Sequence, residues 1–435
     1  MRLVDELISK QKKLAIIGLG YVGLPLAIEF DKKIEVIGYD QSSEKIKAYT
    51  NGIDMTEEVG DNQVKSCHIQ FTNDEKMLKD AMVFIVAVPT PILDNNQPDL
   101  MPLISATKLV ATYMSKGAIV IYESTVYPGT TEEICIPILE EITGWKCKED
   151  FKVGYSPERV NPGDPVRKIS NIKKIVSGID LEALKNISEL YQLIVEVGVH
   201  EANSIKVAEA AKVVENTQRD INIAFMNELA IVFNAMGIDT TEVIEAMNTK
   251  WNALGFTPGL VGGHCIGVDP YYLIHKASEF NVELTTVQLA RKINNKIPDF
   301  IGNLMMRQLI KADKKIKGAR VGVFGITFKE NCKDIRNSKV IDIIEYLKSY
   351  DIETYVIDPW ADKEEVRIEY GIKLENHLFT EMDGIIFAVS HKEFRQYTLE
   401  MLETMFREGD KVILDVKGIL PSELAEKPGI SYSRL

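Results

Sequence analysis

Cys265 lies in the stretch Gly259-Leu260-Val261-Gly262-Gly263-His264-Cys265-Ile266-Gly267-Val268-Asp269-Pro270. Glycines let a backbone come close to a ligand. A cysteine that emerges from such a polar loop, rather than from an apolar run, is a candidate nucleophile. A small apolar filler is the alternative reading of Cys265, and His264 serves equally well as a structural hydrogen-bonder. Lys212 and Asn216, four residues apart, share one face of a helix otherwise lined by alanine and valine. A cation and an amide so placed can hold an oxyanion or a water, or can simply line a solvated face.

A second group of residues points to a dinucleotide. Gly18-Leu19-Gly20-Tyr21-Val22-Gly23 follows the apolar run Leu14–Gly18 and opens a helix through Leu24–Phe30. The first glycine permits a tight turn, the second lets a pyrophosphate reach the backbone, and the third lets helix pack on strand. Asp40 ends the next strand, Ile34–Tyr39, 17 residues past Gly23. A carboxylate there accepts both ribose hydroxyls and repels a 2′-phosphate, so the expected cofactor is NAD rather than NADP. Pro89 and Thr90 follow the apolar run Ala81–Val88, and Ser124 and Thr125 follow Ala118–Tyr122. Loops beyond strand carboxyl ends are where doubly wound sheets bind ligands, although Pro, Ser and Thr also make plain turns.

The elements that must position these residues alternate between strand and helix, which implies βαβ units. From about His200 to Met236 glycine and proline are nearly absent, and apolar residues recur at helical spacing (Ile205, Ala208, Ala211, Val214, then Ile221, Phe225, Leu229, Phe233). So long a helix bridges domains or builds a dimer interface. The chain to about Lys315 also reads as helical, apart from Gly255–Pro270. The strand pattern then returns at Arg320–Gly325, Glu353–Ile357, Gly384–Val389 and Lys411–Val416, with a helix at Val340–Tyr350. The expected fold class is α/β, with two Rossmann-like doubly wound domains joined by a helical middle domain with one long central helix. The expected domains are residues 1–199, 200–315 and 316–435.

Composition bounds the alternatives. The chain has 435 residues, 45% hydrophobic and 26% charged, the balance of a globular enzyme rather than of a disordered chain or coiled coil. A net charge of −13 argues against broad nucleic-acid binding. No apolar stretch reaches the ~18 residues of a bilayer span. Met1 to Lys13 lacks the apolar core of a signal peptide, so a cytoplasmic protein without a membrane partner is expected. The five cysteines have no CxxC or zinc-type spacing, so no metal site is expected.

Six blocks converge on a family: GLGYVGLPLA, ESTVYPGTTE, YSPERVNPGD, EAAKVVENTQRDINIAFMNELA, PGLVGGHCIGVDPYYL and TFKENCKDIRNS. Together, and in this order, they resemble the UDP-sugar 6-dehydrogenases from about Ala15 to about Val416. The plain UDP-glucose enzymes have a shorter Gly-Gly-Ser-Cys-type loop ending in Pro-Lys-Asp. The GGHCIGVDPYYL loop is similar instead to the branch acting on UDP-N-acetylhexosamines, above all the UDP-N-acetylglucosamine and UDP-N-acetylgalactosamine 6-dehydrogenases of capsule, Vi-antigen and O-antigen synthesis.

The resemblance implies a four-electron oxidation of C6, from alcohol to carboxylate, with two NAD⁺ consumed. It implies that Cys265 captures the aldehyde as a thiohemiacetal and then carries a thioester, and that Lys212 stabilises oxyanions. Asn216 and Asp269 would position the hemiacetal oxygen and the water, Thr125 would bind water, and Glu158 would serve in acid–base or hydrolytic work. Glu158, Arg159, Lys212, Asn216, Phe256, Gly259, Gly262, His264 and Lys329 are the expected substrate contacts. Arg336 is expected at the cofactor beside Gly18, Gly20, Tyr21, Val22, Gly23, Asp40, Pro89, Thr90, Ser124 and Thr125. The plain UDP-glucose enzymes carry a second glutamate where this chain has Pro162, which leaves Glu158 or Asp269 as base for thioester hydrolysis. A homodimer or higher homo-oligomer is expected.

Other readings stay open at this point. UDP-N-acetylmannosamine and UDP-glucose are alternative substrates. A two-electron hydroxyacid-type dehydrogenase needs no nucleophilic cysteine and would form one NADH per substrate. A non-catalytic nucleotide-sugar sensor would form none.

Overall fold

The computed structural model describes residues 3–160 and 166–435. Pro162 lies outside the described residues. The N-terminal sheet has eight strands: β1 (Lys13–Ile17), β2 (Val36–Tyr39), β3 (Gln70–Thr72), β4 (Ala81–Val86), β5 (Ile119–Tyr122), β6 (Lys152–Tyr155), β7 (Lys174–Gly178) and β8 (Val199–Glu201). Their order is β3-β2-β1-β4-β5-β6-β7-β8, parallel except where β7 runs against β6. The order reverses between β1 and β4, the switch point at which such sheets bind ligands. The continuous apolar runs of β2 and β5 are buried at every position, and four of the five residues of β1 are buried, because helices cover both faces of the sheet.

The C-terminal sheet is fully parallel. It comprises β9 (Arg320–Phe324), β10 (Glu353–Ile357), β11 (Gly384–Phe387), β12 (Lys411–Asp415) and β13 (Ile430–Arg434), in the order β10-β9-β11-β12-β13. The two α/β regions and the helical middle match the expected fold class. Apolar patterning did not announce β3, β6, β7, β8 and β13, which are short and in three cases open on Gln70, Lys152 or Lys174. β4 stops at Val86, two residues before the apolar run does.

The middle of the chain contains helices Ile205–Met236, Thr240–Asn248, Asp269–Glu279 and Thr285–Lys311. Contacts divide the chain into two units, Met1–Glu215 with Tyr271–Val282, and Asn216–Pro270 with Glu283–Leu435. The division falls inside the long helix. That helix buries Ile205, Ala208, Val213, Ala224, Met226 and Ala230, and ends where Gly237 adopts a left-handed φ of 71°. Val207, Val214, Phe225, Val232 and Met236 are exposed. Their spacing of seven, eleven, seven and four places them on one stripe of the helix. Among the described residues, no helix is long and apolar enough to cross a membrane.

Candidate active site

In the first unit, the chain turns out of β1 at Gly18, whose φ is 95° and where a Cβ would stand 2.8 Å from the Ala87 carbonyl oxygen. At Gly23 the helix Gly23–Asp31 begins, and a Cβ there would lie 1.8 Å from the Gly18 carbonyl oxygen. At Gly20 an added Cβ meets nothing within 4 Å. Two glycines thus serve packing, and the middle one leaves an open approach to the helix start, as a pyrophosphate requires. Tyr21 and Val22 complete the turn.

Asp40 follows β2. Its Oδ2 accepts from the Leu19 amide at 3.0 Å and from Lys45 Nζ at 3.3 Å, and its Oδ1 accepts from the Ser42 amide at 2.9 Å. The carboxylate is thereby held at the strand end beside the glycine turn, and this set of residues fits the ribose and pyrophosphate of NAD.

The loops after the next strands are latched in place. Ser124 Oγ donates to the Val88 carbonyl at 2.7 Å, tying the β5 loop to the β4 loop. Tyr272 Oη donates to the carbonyls of Thr90 (2.9 Å) and Pro91 (3.2 Å). Thr125 is half-buried beyond Ser124, and Pro89 is exposed. Glu209, fully buried on the long helix three residues before Lys212, accepts from the amides of Gly129 (2.6 Å) and Thr131 (2.9 Å). Burial pushes its carboxyl up to about 7 despite those hydrogen bonds.

Glu158 and Arg159 follow β6. Glu158 Oε1 accepts from the amides of Arg159 (2.5 Å) and Val160 (2.6 Å), while its Oε2 lies 3.4 Å from Lys174 Nζ. Lys174, buried in β7, also donates to Glu123 Oε2 at 2.7 Å and to the Pro157 carbonyl at 3.2 Å, and Tyr191 Oη donates to Glu123 Oε1. Burial alone would raise Glu158. Lys174, the two amides and Lys212 outweigh burial and hold it below the ordinary carboxylate range. Glu123 goes the other way: burial takes it to about 7, with Lys174 opposing and Glu158 adding. Arg159 reaches Glu215 at 4.0 Å.

In the second unit, Asn216 Nδ2 donates to Asp269 Oδ2 at 2.6 Å, and both residues are buried. The Cys265 carbonyl accepts from the amides of Val268 (3.0 Å) and Asp269 (2.8 Å), turning the loop into the helix that starts at Asp269. Gly259 is held from both sides by Asn227, whose Nδ2 donates to its carbonyl at 3.0 Å and whose Oδ1 accepts from its amide at 2.8 Å. Gly262 and Gly263 lie against the 334–338 segment: a Cβ on Gly262 would stand 2.4 Å from the Asn337 carbonyl oxygen, and the Gly263 amide donates to that oxygen at 3.1 Å.

This docking brings His264 between two partners, with Nδ1 3.0 Å from Cys265 Sγ and Nε2 3.5 Å from Asp334 Oδ2. Burial disfavours a charged imidazole, yet Asp334 and then Cys265 more than reverse this and carry His264 up to about 9. Arg336 spans Asp334, Nε to Oδ1 at 2.9 Å and Nη2 to Oδ2 at 2.6 Å, and helps hold that carboxyl well below its usual range against burial. Arg336, expected at the cofactor, also grips Asp334 through its guanidinium, and its side chain stays half exposed. Lys329 Nζ stands 5.5 Å over the Phe328 ring, and Phe256 is half-buried in the loop before Gly259.

Sequence reasoning missed Glu123, Lys174, Tyr191 and Asp334. Glu123 and Asp334 lie inside blocks that were singled out, ESTV and KDIRNS, so a count of their unpaired charges offered a signal. Lys174, in a Lys-Lys pair before an apolar run, reads as surface and offered none.

The chain belongs to the UDP-glucose/GDP-mannose dehydrogenase family. The family's NAD binding domain matches residues 12–195, its central domain residues 206–296 and its UDP binding domain residues 322–422. NAD is therefore the cofactor, and the substrate is a UDP-sugar. The chain is 48% identical to Protein CapL of Staphylococcus aureus over 95% of this chain and 97% of that protein. It is 46% identical to a UDP-N-acetyl-D-glucosamine 6-dehydrogenase of Salmonella typhi over 95% and 98%. A solved UDP-D-ManNAc dehydrogenase from Pyrococcus horikoshii superposes with a TM-score of 0.89 at 33% identity, over 97% of this chain and 98% of that one.

Proposed function

We propose that this protein oxidises C6 of a UDP-N-acetylhexosamine, UDP-N-acetylglucosamine or UDP-N-acetylgalactosamine, to the uronate, through a thiohemiacetal and a thioester on Cys265. The observation that carries the reading is a half-exposed thiol on a glycine-bound loop, in direct contact with an imidazole, in a chain of this NAD-dependent family. The Salmonella typhi relative supports the N-acetylglucosamine substrate by its name.

When bound, NAD⁺ supplies the hydride acceptor for two successive oxidations, so each alcohol taken to a carboxylate consumes two NAD⁺ and one water. The glycine turn and Asp40 hold and orient it. Cys265 adds to the aldehyde carbon: the C–S bond forms while the carbonyl π pair moves to oxygen. Lys212 stabilises that oxyanion, and Asn216 with Asp269 positions the oxygen and the water. Thr125 holds water. Glu158, kept anionic, takes the proton as water attacks the thioester. Arg159, Phe256, Lys329 and the backbone at Gly259 and Gly262 contact the sugar nucleotide.

The reaction is placed in the cytoplasm, where it supplies uronate sugars for surface polysaccharides. The exposed stripe from Val207 to Met236 pairs two copies of the chain, and light scattering at micromolar concentration should give twice the monomer mass. The test of function is kcat/KM for UDP-N-acetylglucosamine, UDP-N-acetylgalactosamine, UDP-N-acetylmannosamine and UDP-glucose, read by NADH absorbance. One of the first two should lead. A lead for UDP-glucose or UDP-N-acetylmannosamine would overturn the substrate assignment.

A further inference from the structure

Neighbouring side chains seldom meet, because successive Cβ atoms point apart in strands and are not stacked in helices. Cys265 and His264 meet because the loop is folded from both ends. Gly263 has a φ of 75°, and its carbonyl accepts from Asn337 Nδ2 at 2.8 Å, while the Cys265 carbonyl is fixed by two amides of the following helix turn. The His264 ring is then clamped. Phe328 lies against it with ring centroids 6.0 Å apart, Sγ is at Nδ1, and Asp334 is at Nε2. Asp334 cannot swing away, since its side chain is 4% exposed and Arg336 holds it through the guanidinium and a backbone amide at 3.0 Å.

We propose that His264 is a catalytic acid–base partner of Cys265, with Asp334 as its positioning residue and Arg336 as the anchor of Asp334. The order carboxylate–imidazole–nucleophile is the arrangement by which a carboxylate fixes ring orientation and tautomer and stabilises the imidazolium. The S–H bond breaks with its electron pair left on Sγ, and the proton moves to Nδ1. The thiolate then attacks the aldehyde carbon. At hydrolysis the C–S bond breaks, its pair returns to Sγ, and the imidazolium stabilises the leaving sulfur or returns the proton. No oxidant beyond the two NAD⁺ of the proposed reaction is needed. Asp334, Arg336 and Cys265 are among the groups that face the ring; burial disfavours the imidazolium, and Asp334 with Cys265 outweighs burial and Arg336, so that His264 rises to about 9. A neutral amide in place of the ring keeps a polar contact to sulfur but cannot accept its proton.

The inference rests on the proposed covalent reaction for its use, and thiol reactivity tests it without any sugar or NAD⁺. The experiment is alkylation of Cys265 by iodoacetamide in the full-length protein, followed by peptide mass spectrometry at pH 6.0 and pH 9.5. At pH 6.0 the native protein should react about tenfold or more faster than His264→Gln, with Asp334→Asn in between. At pH 9.5, above the ordinary range of a half-exposed thiol, the three rates should converge. If a variant fails to fold, the 240 nm thiolate absorbance of the native protein minus Cys265→Ala at pH 6.0 stands in, and a band is expected. Equal alkylation rates at pH 6.0, or no thiolate band, would overturn the proposal and leave the dehydrogenase reading intact. Normal His264-dependent alkylation with no NADH from any UDP-sugar would do the reverse.

Discussion

Asp40 and Asp358 close the same strand in the two sheets, β2 and β10, and each accepts an amide from the turn after the central strand. Leu19 donates to Asp40 at 3.0 Å, and Ile326 donates to Asp358 at 2.6 Å. Each also accepts on Oδ1 from the amide two residues on, that of Ser42 or Trp360, and beyond those contacts they part. The far side of Asp40 meets Lys45, whose side chain is partly exposed. Asp358 is sealed by fully buried His391 at 3.1 Å and by the amide of Ala361. The glycines differ too: Gly18, Gly20 and Gly23 correspond in spacing to Gly325, Thr327 and Glu330. An acid at the strand end is therefore not by itself a dinucleotide signature. In the NAD binding domain the acid is joined by glycine at all three of those turn positions and by a partly exposed lysine rather than a sealed histidine.

The two units differ likewise in how they hold charge. The Tyr191–Glu123–Lys174–Glu158 chain is almost wholly out of water, so its cation is a structural necessity as well as a support for Glu158. The Asp334–His264–Cys265 chain is buried at Asp334 and opens toward His264, whose side chain is 35% exposed. Its outer members can react without the fold depending on them.

Variants in the two chains should behave in opposite ways. Cys265→Ala should lower NADH formation by about 10³-fold or more, while its melting temperature stays near that of the native protein; near-native turnover would remove the covalent mechanism. Lys174→Met leaves two carboxylates buried without a cation, a loss of roughly 3–5 kcal/mol of stability. Calorimetry should show a clear fall in melting temperature, and an unchanged value would refute the structural role.

Asp40→Ala should reduce the preference for NAD⁺ over NADP⁺ in kcat/KM by about tenfold, the worth of one charged hydrogen bond of ~1.5 kcal/mol. Asp358→Asn should leave that preference unchanged and lower stability instead. Equal shifts from both would erase the contrast between the sheets.

The smallest effect concerns Glu209. Its carboxyl is raised by burial from an ordinary 4.5 to about 7. Its contribution to stability is therefore fully present below about pH 4.5 and is lost as pH rises through about 7. Glu209→Gln should flatten the decline of melting temperature between pH 5 and pH 8. An unaltered slope would place the titration elsewhere.

Much of this was readable in the sequence where physics acts locally. The glycine turn, Asp40 and the long helix follow from backbone constraint and periodicity, and the Cys265 loop announced itself by its glycines. Val214 and Phe225 count toward the helical apolar spacing yet lie exposed, because spacing reveals a stripe without saying which stripe is covered. The partners of Glu158 and His264 were not legible. Lys174 is buried against Glu123 and Glu158, which lie 51 and 16 residues away, and Asp334 meets His264 where Gly262 and Gly263 dock on Asn337. Both depend on contacts between residues far apart in the chain.

The central claim is a four-electron oxidation, and the ratio of NADH formed to UDP-sugar consumed tests it most directly. With UDP-N-acetylglucosamine or UDP-N-acetylgalactosamine run to completion, whichever is the better substrate, the account predicts two NADH per sugar and a carboxylate product by mass spectrometry. A ratio of one, with the aldehyde released, would contradict it.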